Sequence, residues 1–309
     1  MDGLPWTDSN NGILHDLPQE PQLLRDHQAR QTVSVLSRRR LNETLVGDTG
    51  PLSDNDRAQL QELLDCYKVL CAPVRDEELN GAQAKPENGG SVAKFMSSMY
   101  VQRLVEALAR VSPFQEIEGA SQKAALLKGC VVEWCVLESA SGFDRRESAV
   151  CLPEVMGGPV LLPRAYLQCV PLDVGSALVR AVSACDDDAW RDRVVVELLK
   201  AQRLFEPTRA GVSDEAAAHV AAARHRYRDL LRRYLLGRHS PAETDALLET
   251  LGRQLERLVE LSEFFRSRCL MQDTENVNAL YESIFAHLLD GRRQQRNSGT
   301  TTHGDPSHE

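Results

Sequence analysis

The chain has 309 residues, 42% of them hydrophobic, and a formal net charge of −9. A substantial core can form, and an acidic folded surface is a poor general holder of nucleic acid. No apolar run reaches membrane-spanning length, and the opening MDGLPWTDSNNG lacks the charged-then-apolar order of a secretory leader, so an intracellular protein is expected. Eight cysteines without a C-x-x-C pair read as buried, reduced thiols, and no metal site is expected from them.

Residues 1–50 are rich in Pro, Gln, Asn and Asp, which predicts a disordered or hinge-like segment. Arg38, Arg39 and Arg40 form a basic patch there, readable as a weak nuclear-import signal or as a solvated charge run. The first helix is predicted to start at LSDND, with Ser53 as N-cap, and to run through RAQLQELLDCYKVL to Pro73. Leu60, Leu63, Leu64, Tyr67 and Leu70 share one face of it. LQELL fits L-x-x-L-L, but a buried helix face is the expected role. A Gly/Pro/Asn-rich linker, NGAQAKPENGG, follows. SVAKFMSSMYVQRLVEALARV is a second long helix, predicted to stop at Ser112-Pro113.

QKAALLKGCVVEWCVLESA, residues 122–140, is apolar on nearly all sides apart from Lys128, Glu133 and Glu138, so a helix buried nearly all round is expected. GFDRRESAVCLPEVMGGPVLLPRAYLQCV is the single region that reads as strand and loop, with Gly157-Gly158-Pro159 as a turn. Helices resume with PLDVGSALVRAVSAC, AWRDRVVVELLKAQRLF and SDEAAAHVAAARHRYRDLLRRYLLG; Gly211 and Gly237 fit turn and C-cap roles around the last. SPAE, from Ser240, is a capping box with Pro241 at the first helical position. It opens TDALLETLGRQLERLVELSEFFRSRCL, whose leucines exceed what one core-facing side needs. VNALYESIFAHLL is a short last helix. Residues 51–290 are thus expected to form one all-α domain, with 291–309 as a disordered tail.

The stretch LARVSPFQEIEGASQKAALLKGCVVEWCVLESASGFD resembles the characteristic stretch of the nuclear receptor ligand-binding domain. That family carries aromatic-Ala-Lys, then a Pro and Phe turn, then Asp-Gln-x-x-Leu-Leu-Lys opening a buried central helix. Leu108-Ala109-Arg110 stands for the first part, and Gln122 through Leu126-Leu127-Lys128 for the last. LSDNDRAQLQELLDCYKVL is similar to the family's first helix, most of all in the branch of vitamin D, pregnane/xenobiotic and invertebrate xenobiotic-type receptors. VVVELLKAQRLFEPTRAGVSDE resembles a helix junction of the family, and ALYESIF its activation helix.

The resemblance implies a three-layer antiparallel helical sandwich with one small β-turn region. It implies a ligand-responsive transcriptional regulator that binds a hydrophobic, steroid- or lipid-like small molecule and coregulator L-x-x-L-L helices. Arg110 and Lys128 would face one end of the coregulator helix and Glu282 the other. Ser97, Ser98, Val101 and Leu104 of the second helix, with Trp134, Cys135, Glu138 and Ser139 of the central one, would line the ligand pocket. Glu138 needs a partner, because an unpaired buried carboxylate is costly; an arginine such as Arg145 or Arg146, a polar ligand group or a wet pocket mouth are the candidates. A heterodimer with a retinoid X-type receptor or a homodimer is implied, and a nuclear location. The family's zinc-finger DNA-binding modules have no counterpart in these residues, so no direct DNA contact is expected. The alternative is a ligand-independent receptor-like interaction protein acting by heterodimerisation. No cofactor and no metal are expected, and no nucleophile elbow or phosphate loop supports an enzyme.

Overall fold

Helix formation begins at a cap. Ser53 Oγ accepts from the Asp56 backbone N–H at 3.1 Å, and the Asp56 carboxylate accepts from the Ser53 N–H at 3.1 Å. This reciprocal pair satisfies two donors that a helix start leaves open, and α1 follows over Asp54–Leu70. The structure, a computed structural model, describes residues 52–70, 72, 102–144, 149–152, 160–163, 172–185 and 187–267, with side chains left aside at 144, 149–152, 160–163 and 172–175. Leu60, Leu63 and Leu64 lie inside the core, so LQELL is a buried face as expected.

Residues 102–108 form α2. Ser112-Pro113 ends that helix and also starts another: Val111 is extended, and α3, Ser112–Glu116, carries Pro113 in its first turn, where a missing N–H loses nothing. Gly119, at φ 84°, turns the chain into α4, Ala120–Ser141. Leu126, Leu127, Cys130, Trp134 and Leu137 of α4 are buried, and only Ser121 and Cys135 of its residues are exposed. Three short strands follow, β1 Phe143–Asp144, β2 Ala149–Leu152 and β3 Val160–Pro163. They pair antiparallel in the order β1-β2-β3, with Cys151 opposite Leu161. The Gly157-Gly158-Pro159 turn lies outside the described residues.

The later helices are α5 Leu172–Ser183, α6 Asp188–Arg191, α7 Arg193–Leu204, α8 Asp214–Leu236 and α9 Pro241–Phe265. AWRDRVVVELLKAQRLF is therefore two helices, not the one its sequence pattern predicts. Asp192 is extended, and its carboxylate accepts from the Val194 N–H at 2.9 Å; a side chain that caps the backbone two residues onward breaks the helix it would otherwise continue. Ser240 and Glu243 form the full capping box at the start of α9, with Pro241 in its first turn.

The described residues are all-α apart from the small sheet. Its core gathers around α7, which packs against α1, α4, α6 and α8, while α4 also packs against α5 and α9. Nine of the 12 residues of α7 are buried. Phe205 stacks on Tyr227 of α8, ring centroids 5.6 Å apart. Polar bonds fix the outer helices. Arg233 of α8 grips Asp56 of α1 at 2.7 Å and 3.1 Å, Tyr234 donates to Asp192 at 2.7 Å, and Trp190 donates to Gln254 of α9 at 2.7 Å. All described residues fall within the compact unit Leu45–Glu309, and no helix among them is long and apolar enough to cross a membrane.

Candidate functional site

Two charge clusters hold α4 to the chain that follows α6. The first is built on Glu138. Arg193 donates to both of its oxygens at 2.9 Å, and Lys200 donates to the same carboxylate. Lys200 also donates to Glu197 at 3.1 Å and 3.2 Å, and Arg193 reaches Glu197 at 3.2 Å. Two carboxylates and two cations thus close a neutral group inside the core. Aromatic faces complete it: the Arg193 guanidinium lies 4.1 Å from the Tyr67 ring centre, and the Lys200 ammonium 4.7 Å from that of Trp134. The Trp134 N–H donates to the Lys200 carbonyl at 2.9 Å.

Burial pushes the Glu138 carboxyl up, but Arg193 and Lys200 outweigh it and hold the group at about 2. Burial raises the Glu197 carboxyl as well, and there it prevails, because Lys200 and Arg193 are shared with the neighbouring Glu138 charge. Glu138 is therefore paired with cations as its burial requires. The partners are Arg193 and Lys200; Arg145 and Arg146 lie outside the described residues. The sequence signal that could have found them is Arg193, Glu197 and Lys200 at helical spacings along the apolar run from Val194 to Ala201.

The second cluster is built on Glu133, where Arg203 and Arg209 each donate to both oxygens at 2.8 Å and 3.1 Å. Arg203 also pairs with Glu206 at 2.9 Å, and Glu206 with Arg224 of α8 at 2.8 Å. Burial opposes ionisation of Glu133, and the two arginines overcome it and lower its carboxyl. Gly129 makes room for this cluster, since a Cβ there would stand 2.9 Å from Arg209 Cζ. Arg266, just past α9, donates to the Gly129 carbonyl at 3.0 Å and ties the end of that helix to α4. The Glu138 and Glu133 carboxylates are each held by two protein cations, and such groups hold a scaffold rather than carry out proton transfer.

Of the expected pocket residues, Ser97, Ser98 and Val101 lie outside the described ones. Leu104 and Trp134 are fully buried, and Glu138 is bound as above. Cys135 is exposed, a correction to the expectation of buried thiols, whereas Cys66, Cys130 and Cys185 are buried thiols outside any disulfide. Burial raises the Cys130 thiol to about 12, so it stays protonated and inert. Ser139, one turn after Cys135, donates to the Cys135 carbonyl at 2.9 Å, so the two form one accessible stretch of α4.

Of the expected coregulator residues, Glu282 lies outside the described ones. Arg110 is 59% exposed, pairs with Glu106 at 3.6 Å, and lines a cleft of about 420 Å³ with Glu62, Asp65 and Lys68 of α1. Lys128 is half-buried in the third turn of α4. Sequence reasoning did not locate a groove of about 960 Å³ between α8 and α9. Its floor includes Leu248, Leu251, Leu255 and Val259, with Arg224, Arg228 and Arg232 on the α8 wall and Asp245, Glu249, Glu256 and Glu260 along α9. No group of residues suited to a metal ion occurs among the described residues.

No protein-family model matches this chain, and no curated protein matches it.

Proposed function

We propose that this chain is a regulatory domain of the nuclear receptor type that binds a hydrophobic small molecule and coregulator L-x-x-L-L helices. The observation that carries the proposal is the central position of α4, packed against α5, α7 and α9 after a Pro-Phe turn and before a small antiparallel sheet. That order of elements supports the three-layer helical sandwich that the sequence resemblance implies. The domain is taken as residues 51–290, acting in the nucleus, without enzymatic chemistry and without touching DNA itself. Cys135 and Ser139 are the accessible part of α4 for a ligand, with Ser97, Ser98, Val101 and Leu104 contributed by the second helix. Trp134 and Glu138 serve as scaffold behind them, since protein partners occupy their polar atoms.

Arg110 and Lys128 are the cations for the coregulator helix C-terminus, and Glu282 the anion for its N-terminus. A charge at a helix end in a partly desolvated site contributes about 1–2 kcal/mol. Lys128→Ala is therefore expected to weaken L-x-x-L-L peptide binding about 5- to 30-fold, with thermal stability nearly unchanged. Isothermal titration of the peptide against wild type and variant tests this. Equal affinities in the micromolar range would remove the coregulator role.

A second reading has its own observation. The α8–α9 groove presents half-buried Leu248, Leu255 and Val259, which suits a receptor-like interaction protein that works by dimerising, with a retinoid X-type receptor or with itself, whether or not a ligand is bound. Displacement of an apolar fluorescent probe by lipid-like molecules separates the two readings: saturable displacement supports the ligand-responsive one.

A further inference from the structure

We propose that Ser240, in the turn joining α8 to α9, is a phosphorylation site for a proline-directed protein kinase. The sequence holds two Ser-Pro dipeptides, Ser112-Pro113 and Ser240-Pro241, and no Thr-Pro. The fold separates them sharply. At the first, the Ser112 hydroxyl donates to Glu62 at 2.6 Å, its backbone N–H donates to the same carboxylate at 3.1 Å, and Pro113 is buried. A kinase pocket that reads the residue after the acceptor must touch the proline ring, which here is inside the core. At the second, every residue from Arg238 to Glu243 is exposed, Ser240 is already extended, and two basic side chains, Arg238 and His239, precede it.

Presentation to a kinase requires opening only the first turn of α9. Its N–H groups have no acceptor within the helix, and the capping box is what holds it: Ser240 Oγ donates to Glu243 Oε2 at 2.7 Å and accepts from the Glu243 N–H at 3.4 Å. In the transfer, Ser240 Oγ attacks the γ-phosphorus of a kinase-bound nucleoside triphosphate. A P–O bond forms at Oγ, the bond to the β-phosphate oxygen breaks, the nucleoside diphosphate departs, and the hydroxyl proton passes to the kinase's base.

The product differs from the free turn in a defined way. The phosphoserine has no hydroxyl to give Glu243 and carries about −1.5 to −2 charges at neutral pH, so it repels that carboxylate. The Glu243 N–H then caps onto a phosphate oxygen, which the helix N-terminus favours. α9 keeps a cap, while negative charge accumulates at the end of the groove where Arg232 and Asp245 pair at 2.6 Å. A surface docking along α9 meets a changed potential there. The site itself does not depend on the receptor reading.

The test incubates the full chain with a kinase of the mitogen-activated class and labelled ATP, and maps phosphate by mass spectrometry. Phosphate is expected on Ser240 and not on Ser112, and Ser240→Ala removes it. Pro241→Ala is expected to lower incorporation about tenfold, because the new backbone N–H has no partner in a pocket shaped for proline, with the circular dichroism spectrum unchanged. A peptide spanning residues 233–247 serves as reference. Phosphorylation of the peptide but not of the folded chain overturns the proposal, as does phosphate on Ser112 alone or on neither serine.

Discussion

Glu138 and Glu197 sit a few ångströms from the same two cations, yet burial and sharing send their carboxyls in opposite directions. The consequence is a pH dependence with a definite sign. Glu138 is depressed from 4.5 to about 2, so its pairing stabilises the fold above its ordinary value and is lost as the pH falls toward 2. Its contribution at neutral pH is roughly 3 kcal/mol. Glu197 is raised, takes up a proton more readily when folded, and offsets part of that loss. Glu138→Gln leaves Arg193 and Lys200 with one carboxylate in place of two, and removal of one member of a buried charge group costs about 3–5 kcal/mol. Urea unfolding at pH 7 and pH 3 is expected to show the gap between wild type and Glu138→Gln narrowing in acid. A gap of constant size would mean that the carboxylate is not the group being titrated.

Asp192 decides the shape of an element. Its carboxylate caps α7 through Val194 and also accepts the Tyr234 hydroxyl of α8 at 2.7 Å, so a single side chain ends α6, begins α7 and holds α8 in place. Asp192→Ala is expected to lose about 1 kcal/mol for the cap and a further 1–3 kcal/mol for the stranded hydroxyl. Tyr234→Phe removes only the second part. In a thermal-unfolding double-mutant cycle the two changes are expected to couple, because they share a bond; strict additivity would deny Tyr234 that role. The expectation of one continuous helix here came from a helical hydrophobic period that runs across Asp192 unbroken. The period reports which side faces the core, and it does not register a cap that competes with the next hydrogen bond.

At the scale of the molecule, α9 carries apolar residues that the described core covers only in part. Its buried residues are Thr244, Leu251, Leu258, Leu261 and Ser262, while Leu247, Leu248, Leu255, Val259, Phe264 and Phe265 remain half-buried. At its middle, a Cβ on Gly252 would meet nothing within 4 Å, so packing among the described residues gives no reason for a glycine that costs a helix interior about 1 kcal/mol relative to alanine. Analytical ultracentrifugation, alone and with a retinoid X-type receptor domain, is expected to show association that Leu255→Glu together with Val259→Glu abolishes, the monomer staying folded. Monomeric behaviour of the wild type in both experiments would remove dimerisation from its function.

Local signals lay in the sequence because they depend on neighbours a few residues apart. Ser53, the Ser240–Glu243 capping box, Gly211 at φ 89°, the buried Leu60, Leu63 and Leu64, and the span of α4 all follow from spacing and cap chemistry. The need of Glu138 for some partner followed likewise from desolvation alone. Which cation supplied it did not: Arg193 and Lys200 stand 55 and 62 residues away, and Arg203 and Arg209 reach Glu133 from 70 and 76. Pairings over such distances depend on how helices cross, and a charge on a helix looks the same in sequence whether water or a buried partner meets it. The exposure of Cys135, the turning of Arg110 toward α1 and the groove between α8 and α9 belong to that second kind, because each depends on where a neighbouring helix ends and not on the residue itself.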